Sequence, residues 1–373
     1  MSIVKNVIMP KNEIGNDPND FKDDPNFVNK LKPPINPFDL NTFALNGESK
    51  AMAEKMLDDK YVLGEMALLG DGTIISAKPN AGKTLITIRL LIDGIRTGDI
   101  IPENVYYINA DDGHKGLTYK LKLAEQYGFK MLSPGYHGFK VDMLLGYMKN
   151  ATENDTARGV IVILDTLKKI VNPMDKSAMR TYGEIYRPFL ARGGTVIMLA
   201  HVNKNRDDDG NIVFAGVQDI EDDIDCTYSL DVIEESNNLK TVEFIRGKSR
   251  GNNISKCTYR YQTEPGMNYQ DRLDSILPIN AAQASSLTTK KHEQKLKDEY
   301  EVEIIFVLSE LRSGTKNQSA IVKALKNNED FSSEISERGL KKALIKLTGI
   351  TWNAKRGDRN ALMYSLPFNG LQN

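Results

Sequence analysis

The chain has 373 residues, of which 40% are hydrophobic and 27% charged, and its formal net charge at pH 7 is −1. This length favours two domains over one, and the composition is that of an ordinary soluble protein. No apolar stretch approaches the roughly 20 residues of a membrane span, and the N-terminus lacks the apolar region of a signal peptide. We therefore expect a cytoplasmic protein without a membrane partner. Cys226 and Cys257 are too few for a disulfide scaffold, and the four histidines show no metal-ligand spacing.

The composition changes along the chain. Residues 1–46 are rich in Asn, Asp and Pro, which predicts a flexible N-terminal arm. Residues 47–278 begin with a short predicted helix, Gly47–Leu57, and then alternate apolar strands with helical patterns. This alternation predicts an α/β domain with a mainly parallel central sheet. Residues 279–298 predict a polar linker, and residues 299–373 predict a small C-terminal domain.

Within the α/β segment, the periodicity of apolar residues predicts the individual elements. The predicted strands lie near Thr73–Ser76, Val105–Ala110, Val160–Leu164, Thr195–Ala200, Cys226–Ile233, Lys240–Arg246 and Lys256–Gln262. The predicted helices lie near Lys83–Arg96, Lys115–Tyr127, Val141–Lys149 and Ala178–Ala191.

Residues 76–84, Ser-Ala-Lys-Pro-Asn-Ala-Gly-Lys-Thr, predict a phosphate-binding loop between a strand and a helix. Lys83 is expected to reach the β- and γ-phosphates, and the Thr84 hydroxyl is expected to hold Mg²⁺. Ala77 stands where the pattern G-x-x-x-x-G-K-[ST] has its first glycine, so the loop must begin with ordinary dihedral angles or accept strain. The chain is therefore predicted to bind a nucleoside triphosphate. The predicted phosphate contacts are Pro79, Asn80, Ala81, Gly82, Lys83 and Thr84.

Two other predicted strands end in acidic residues. The all-apolar strand at 160–164 is followed by Asp165, at the sheet edge where ligands bind in open α/β sheets. Asp165 is expected to hold a water on the Mg²⁺ that Thr84 ligates, and a helix cap is the alternative. The strand from Val105 leads to Asp111 and Asp112, where a carboxylate can polarise the water that attacks the γ-phosphate. An Asp-Asp-Gly turn without a catalytic role is the alternative there.

A histidine and a basic hairpin complete the set of candidate site residues. His201 follows the strand Thr195–Ala200, where a polar side chain can contact the γ-phosphate, although a lone histidine is often structural. Residues 241–262 predict a hairpin whose turn carries Lys248 and Arg250. Such residues are usually only solvated, but a neighbouring subunit can use one as an arginine finger.

Together these motifs resemble the RecA-like ATPases of the hexameric replicative helicase superfamily. They are nearest to the plasmid RepA-type helicases and their phage relatives, and more distantly similar to DnaB. The resemblance extends from about Tyr61 to Gln262 and rests on four segments in order: Ala-Lys-Pro-Asn-Ala-Gly-Lys-Thr, Tyr-Ile-Asn-Ala-Asp-Asp-Gly, Ile-Val-Ile-Leu-Asp-Thr-Leu-Lys-Lys and Val-Ile-Met-Leu-Ala-His. It implies a RecA-like P-loop NTPase core that hydrolyses ATP with Mg²⁺ between the subunits of a homo-hexamer.

The resemblance also assigns roles to individual residues. The implied catalytic residues are Asp111, Lys83, His201, Arg250 and Lys248. Asp111 stands where the family has its catalytic glutamate, and His201 stands at the γ-phosphate sensor. Lys248 and Arg250 resemble a K-x-R hairpin that reaches the next subunit's nucleotide. Since aspartate is one methylene shorter than glutamate, the attacking water is expected to be held less well and hydrolysis to be slow.

The expected partner is single-stranded DNA, with a primase or an initiator protein as a candidate protein partner. In RecA-like motors the loop after the sensor strand lines the ring's centre, which here places Lys204 and Arg206 of segment Val202–Gly216 on the DNA backbone. The aspartates at 207–209 argue against a purely basic loop.

The C-terminal segment predicts a winged helix. Its predicted helices are Glu299–Arg312, Asn317–Lys326 and Ser336–Leu347, and its predicted hairpin joins Ile350–Trp352 to Ala361–Tyr364. Residues 290–373 carry 15 basic and 11 acidic side chains, and a basic third helix beside a basic wing is suited to DNA. The candidate DNA contacts are Lys341, Lys342, Lys346 and Arg356. Docking of another protein, or oligomerisation, is the alternative.

These expectations combine into a ring-forming replicative helicase of a plasmid, phage or mobile element, translocating on single-stranded DNA. Two alternatives stay open. One is a recombination ATPase that forms a filament on DNA. The other is a nucleotide-switched DNA-binding regulator, which the aspartate at position 111 and the C-terminal winged helix favour.

Overall fold

The computed structural model describes residues 41, 44–54, 60–169, 176–206, 212–214, 224–357 and 360–367, with only the backbone for 176–180, 202–206 and 212–214. The chain divides into two units, Met1–Met56 and Leu57–Asn373. In the described part of the first unit, the exposed helix α1 (Ser49–Glu54) lies inside the predicted helix. Most of the predicted arm, residues 1–46, falls outside the described residues. No helix in the described ranges is both long and apolar enough to cross a membrane.

The second unit is built around a ten-stranded sheet. After the short hairpin of β1 (Tyr61–Leu63) and β2 (Ala67–Leu68), its strands are β3 (Gly72–Ala77), β4 (Val105–Asn109), β5 (Lys130–Leu132), β6 (Ile161–Asp165), β7 (Thr195–Arg206), β8 (Ile212–Phe214), β9 (Cys226–Ser236), β10 (Leu239–Ser249), β11 (Lys256–Gln262) and β12 (Leu277–Ile279). The order is β12-β11-β10-β9-β3-β7-β6-β4-β5, with β8 paired to β7. The six strands from β9 to β5 are parallel, and β10, β11 and β12 extend the sheet in antiparallel fashion.

Helices cover both faces of this sheet. In chain order they are α2 (Lys83–Thr97), α3 (His114–Tyr127), α4 (Val141–Glu153), α5 (Lys176–Ala191) and α6 (Tyr269–Asp274). Alternate residues of β3 belong to different cores: Ile75 packs in the cluster that contains Ile86 of α2, and Ile74 packs in the cluster that contains Phe189 of α5. Burial on both faces explains why the central strands are continuous apolar runs. The predicted α/β class with a mainly parallel sheet is confirmed.

The segment predicted as a polar linker, 279–298, is instead a helix, α7 (Ala281–Glu299). Asn280 caps this helix by accepting a hydrogen bond from the Gln283 amide, and most of its residues are good helix formers. Its Lys291 ammonium lies 2.7 Å from a carboxylate oxygen of Asp231 and donates to the Val232 carbonyl. The helix is thereby attached to β9.

The strand predicted to end at Ala200 continues to Arg206 and turns back as β8. The predicted loop Val202–Gly216 is therefore partly a β-hairpin, since Val202 pairs with Phe214 and Arg206 with Ile212. Residues 207–211 and 215–216 of that loop lie outside the described residues.

The C-terminal part combines helices with a small antiparallel sheet. Its elements are α8 (Glu301–Leu311), β13 (Lys316–Asn317), α9 (Gln318–Lys326), α10 (Glu329–Ser332), α11 (Glu337–Lys346), β14 (Asn353–Arg356) and β15 (Leu362–Ser365), with strand order β13-β15-β14. The predicted first hairpin strand, Ile350–Trp352, is wrong in position. Ile350 and Thr351 lie in a turn, and Trp352 forms an isolated bridge with Thr348 while its buried indole donates to the Leu344 carbonyl. The residues predicted as the start of the turn, Asn353–Arg356, form the strand instead.

Candidate nucleotide-binding site

The register of the parallel strands brings several predicted site residues to one edge of the sheet. Ala77, at the end of β3, lies beside His201 of β7. On the other side of β7, Asp165 at the end of β6 lies beside Asn109 at the end of β4. The carboxyl ends of parallel strands are where ligands bind in open α/β sheets. Asp111, two residues beyond β4, reaches the same edge.

The loop between β3 and α2 avoids strain at its first position. Ala77 closes β3 as a buried strand residue, and positive φ angles occur at Asn80 (60°) and Gly82 (94°). Asparagine tolerates this region better than most residues, so the missing first glycine is accommodated. At Gly82, an added Cβ would lie 2.5 Å from the Tyr261 hydroxyl, so only glycine fits. The Lys240 ammonium donates to the Asn80 carbonyl at 3.3 Å.

The first turn of α2 presents backbone amides and two side chains to the same point. Gly82 precedes the helix without a side-chain cap, which leaves first-turn N–H groups available to an anion. The Lys83 ammonium lies 3.6 Å from Asp165 Oδ1. The Thr84 hydroxyl donates to the Asp165 carboxylate at 3.0 and 3.2 Å. The structure therefore brings the predicted loop and the predicted metal-side acid together.

Asp165 is the centre of the buried charge network. Tyr107 of β4 donates to its Oδ2 at 2.7 Å, and the Lys120 ammonium of α3 lies 3.5 Å away. Burial alone would raise the pKa of Asp165, but the charges of Lys83 and Lys120 and the hydrogen bonds from Tyr107 and Thr84 outweigh it and lower the pKa. For Lys83, burial prevails over the attraction of the nearby carboxylates and lowers the pKa. The Asp165 carboxylate is thus held ionised at neutral pH.

The two consecutive acids after β4 have different surroundings. Asp112 is bound by the Lys120 ammonium at 2.5 Å and by the Asn109 side-chain amide at 2.8 Å. Asp111 is 43% exposed in the cleft, and its carboxylate lies 3.6 Å from His201 Nε2. The other ring nitrogen of His201 is buried without a hydrogen-bond partner among the described residues. Both acids line the cleft, and Asp111 is the more exposed of the two and the one that faces His201.

The opposite wall of the cleft comes from β10, β11 and α6, and the sequence did not indicate it. The cavity has a volume of about 670 Å³, and this wall contributes Lys240, Tyr261, Tyr269 and Arg272. Pro79 and Ala81 of the loop line the same cavity. These wall residues are separated from the loop by more than 150 positions, so no local pattern signals them.

Lys120 and Tyr107 were also missed, but Lys120 carries a recognisable signal. Leu117, Lys120 and Ala124 recur at the spacing of one helix face, and Leu117 and Ala124 are buried. A lysine on the apolar face of an amphipathic helix indicates a buried partner. Tyr107 sits in an apolar strand, where a tyrosine hydroxyl gives no such indication.

Lys248 and Arg250 lie at the other end of the sheet from the phosphate-binding loop. The Arg250 guanidinium is 3.3 Å from Asp225, whose carboxylate accepts a hydrogen bond from the Gly72 amide. The Lys248 amide donates to the Thr227 hydroxyl. Gly72 begins β3, and the six residues of that strand span about 17 Å. The structure therefore does not bring these two residues to the cleft of their own chain.

The candidate DNA contacts of α11 differ in their surroundings. The Lys341 ammonium lies 2.6 Å from Glu337, and the Lys346 ammonium lies 3.8 Å from Glu299. Lys342 is exposed. The helix thus presents a basic face, two of whose lysines have acidic neighbours within the chain.

The remaining candidate DNA contacts lie on strands. Arg356 is in β14, and its guanidinium donates to the Asn360 side chain at 2.7 Å. Lys204 and Arg206 are in the final part of β7, where the described structure is limited to the backbone.

The cleft fits a nucleoside triphosphate with Mg²⁺. The loop supplies uncapped amides and Lys83 for phosphate oxygens. Thr84 and Asp165 supply the oxygen donors that Mg²⁺ prefers, and both point to one position. In the described ranges, the cleft included, no group of three or more His, Cys, Asp or Glu side chains is arranged to hold a metal ion by itself.

No protein-family model matches the chain, and no curated protein matches its sequence. Among solved structures, the chain is similar to a KaiC-like protein from the hyperthermophilic archaeon Pyrococcus horikoshii OT3. The sequence identity is 13% and the TM-score is 0.40, over 60% of this chain and 98% of that chain.

Proposed function

We propose that this chain is a RecA-like ATPase that binds ATP and Mg²⁺ in the cleft at the carboxyl edge of its sheet. The observation that carries the proposal is the convergence of Lys83 and Thr84 on Asp165, at distances of 3.0 to 3.6 Å. A Gly-Lys-Thr turn that occurred by chance would not be expected to place its lysine and threonine in contact with a buried acid at the end of a strand, as Lys83 and Thr84 are with Asp165. The parallel strands on both sides of β3 supply the edge that such a site requires.

Each residue of the cleft has a distinct task in this proposal. The loop amides and Lys83 would hold the β- and γ-phosphates, Thr84 would ligate Mg²⁺, and Asp165 would hold a water of that ion. When bound, Mg²⁺ would supply positive charge beside the phosphate oxygens. Asp111 accepts a proton from the attacking water, and His201, at 3.6 Å from Asp111, responds to the γ-phosphate. The contact between these two side chains links the water site to β7.

We propose further that the ATPase forms a homo-hexameric ring that moves along single-stranded DNA. Two features support this. Arg250 lies about one strand length from its own cleft, which suits a residue that serves a neighbouring subunit. In addition, the C-terminal part pairs a basic helix, α11, with a small antiparallel sheet, as a winged helix does. A primase or an initiator protein is the candidate protein partner.

A nucleotide-switched DNA-binding regulator is the second candidate. It is favoured by the short side chain of Asp111, because a carboxylate one methylene shorter than that of glutamate holds the attacking water less closely. Native mass with and without ATP, together with the ATPase rate with and without single-stranded DNA, separates the two. A ring whose turnover rises with DNA supports the motor. A monomer or dimer with DNA-independent turnover supports the switch.

The ATPase proposal itself is tested by Lys83→Ala. We expect the variant to fold normally and to lose ATP hydrolysis, because Lys83 is the cation at the first turn of α2. Lys122→Ala, which removes an exposed lysine of α3, is the matched control and should keep activity. A folded Lys83→Ala protein with unchanged turnover would contradict the assignment.

A further inference from the structure

Lys120 is a buried lysine that the proposed catalytic cycle does not use. It lies on the apolar face of α3 and is 5% exposed, with the buried Leu117 and Leu123 on either side along the chain. Lysine is rarely buried in this way unless an anion accompanies it. Its position therefore requires an explanation in terms of its partners.

The partners of Lys120 are two carboxylates from different strand ends. Its Nζ lies 2.5 Å from Asp112 Oδ2 and 3.5 Å from Asp165 Oδ2. Both oxygens have further donors. Asn109 donates to Asp112 Oδ2 at 2.8 Å, and Tyr107 and Thr84 donate to Asp165 Oδ2 at 2.7 and 3.0 Å. One ammonium group therefore bridges two preoriented carboxylates.

A divalent ion bound in place of the Lys120 ammonium would hold the two carboxylates in a similar arrangement. Two oxygens that contact the same nitrogen are separated by about 6 Å or less, and one Mg²⁺ or Mn²⁺ with waters can span such a pair. Lys83 and Lys120 together also balance the charges of Asp112 and Asp165 before any ligand binds. Without Lys120, a largely buried site would carry an uncompensated negative charge.

We propose that Lys120 is a built-in cation that holds Asp112 and Asp165 in place and keeps free divalent ions out of the cleft until the nucleotide arrives. This inference rests on the proposed function, in which Asp165 is the acid beside Mg²⁺. Lys120 is then a positioning residue. Its effect is that Mg²⁺ enters together with the triphosphate, at Thr84 and Asp165, and does not bind first between the two acids.

The test is Lys120→Met, measured in the absence of any nucleotide. Methionine keeps much of the side-chain length and removes the charge, so the two carboxylates should recruit a divalent ion. We expect Mn²⁺, followed by its electron paramagnetic resonance signal, to bind Lys120→Met at least about tenfold more tightly than the unaltered protein. Lys122→Met, an exposed lysine of the same helix, should bind Mn²⁺ as the unaltered protein does.

Two further variants make the result specific. Lys120→Arg keeps the positive charge and should still exclude Mn²⁺. Adding Asp112→Asn to Lys120→Met should remove the new Mn²⁺ site, because one of its two carboxylates is lost. Should Lys120→Met unfold without metal, the expected result is that Mn²⁺ restores its folding and raises its unfolding temperature more than that of the unaltered protein.

The inference is overturned when Lys120→Met binds Mn²⁺ no more tightly than the unaltered protein, or when Lys120→Arg gains the same site. It is also overturned when Lys120→Met gains no Mn²⁺ site but loses affinity for ATP in the presence of a chelator, since Lys120 would then be a direct phosphate contact. All Mn²⁺ measurements are made without nucleotide. Their failure is therefore distinguishable from failure of the Lys83→Ala test.

Discussion

Asp165 shows how the site depends on pH. Burial alone would raise its pKa, but Lys83, Lys120, Tyr107 and Thr84 together lower it below the ordinary value for aspartate. A carboxyl group whose pKa is lower in the folded state stabilises the fold above its unfolded pKa of about 4, and this stabilisation is lost as the pH falls through the folded pKa.

We therefore predict that Asp165→Asn destabilises the protein at pH 7 and that the difference shrinks in acid. At pH 7 the variant leaves Lys83 and Lys120 buried with less compensation, which costs about 3–5 kcal/mol when a buried pair is broken. Urea unfolding at pH 7, 5 and 3.5 measures the difference from the unaltered protein. A difference that stays constant from pH 7 down through the carboxyl range would contradict a lowered pKa for Asp165.

Asp111 and Asp112 are expected to respond in different ways to removal of their charge. Asp111→Asn should lower turnover by roughly 10²–10⁴-fold with little change in ATP affinity, because a general base acts mainly in the transition state. Asp112→Asn should instead lower stability, by about 1 kcal/mol or more, because Asp112 binds Lys120 and Asn109. Single-turnover kinetics, nucleotide titration and urea unfolding separate the two effects. A large kinetic defect in Asp112→Asn, without one in Asp111→Asn, would show that Asp112 activates the water and that Asp111 does not.

At the residue scale, the sequence indicates those positions that belong to a local motif. Lys83 and Thr84 are specified by a loop of nine residues, and Asp165 by the apolar strand before it. Lys120 and Tyr107 lie 45 and 58 positions from Asp165, so their contacts depend on the order of strands in the sheet. That order is not encoded in any short pattern.

Elements were predicted where burial imposes a clear period. The central parallel strands are continuous apolar runs, and their predicted and observed bounds differ by only a residue or two at most ends. The linker prediction for 279–298 was wrong because the Ser and Thr residues of this segment are typical of a linker, although its Ala, Lys, Gln and Glu residues favour a helix. The turn predicted at Asn353–Arg356 was also wrong, because the polar residues of this strand are typical of a turn.

The contact between β3 and α5 gives a prediction at the scale of elements. A Cβ on Gly72, at the start of β3, would lie 1.8 Å from the Tyr186 hydroxyl, and Tyr186 is buried and stacked on Tyr182. Gly72→Ala should therefore destabilise the protein by about 1–3 kcal/mol through overpacking. Thermal and urea unfolding measure the loss.

Gly146→Ala is the matched control for Gly72→Ala. Gly146 lies exposed within α4, and nothing would contact its added Cβ within 4 Å. The substitution should be neutral or stabilising by up to about 1 kcal/mol, because alanine favours a helix. Equal destabilisation by both substitutions would show that the Tyr186 contact is not the cause.

At the scale of the whole molecule, the two ends of the sheet have different chemistry. The cleft lies at the carboxyl ends of the parallel strands. Arg250 and Arg187 lie at the opposite, amino ends, and each forms an ion pair with Asp225. The two ends of β3 are about 17 Å apart. Arg250, which lies near Gly72 at one end, therefore cannot reach phosphates that lie beyond Ala77 at the other end of the same chain. The sequence indicated a basic hairpin, but only the sheet register shows which edge the hairpin occupies.

We therefore predict that Arg250→Ala retains ATP binding and loses ATP hydrolysis, by about 10³-fold if it removes a finger from the neighbouring site. Mixing Arg250→Ala with Lys83→Ala should restore part of the activity. In mixed assemblies, some interfaces pair an intact loop from one subunit with an intact Arg250 from the next. The ATPase rate of a titrated mixture, compared with each variant alone, measures this rescue.

Arg246→Ala is the control for that experiment, because Arg246 is nearby on β10 but donates to the Asn253 carbonyl of its own chain. Its mixture with Lys83→Ala should show only the activity expected from the Arg246→Ala subunits themselves. Native mass must show that every variant still assembles, since a monomer cannot report on a neighbouring site. Assembled mixtures of Arg250→Ala and Lys83→Ala without rescue would mean that this hairpin serves no neighbouring nucleotide. Arg250 would then act within its own chain, where it pairs with Asp225, and the ring would lose the residue that links one subunit's sheet edge to the next subunit's cleft.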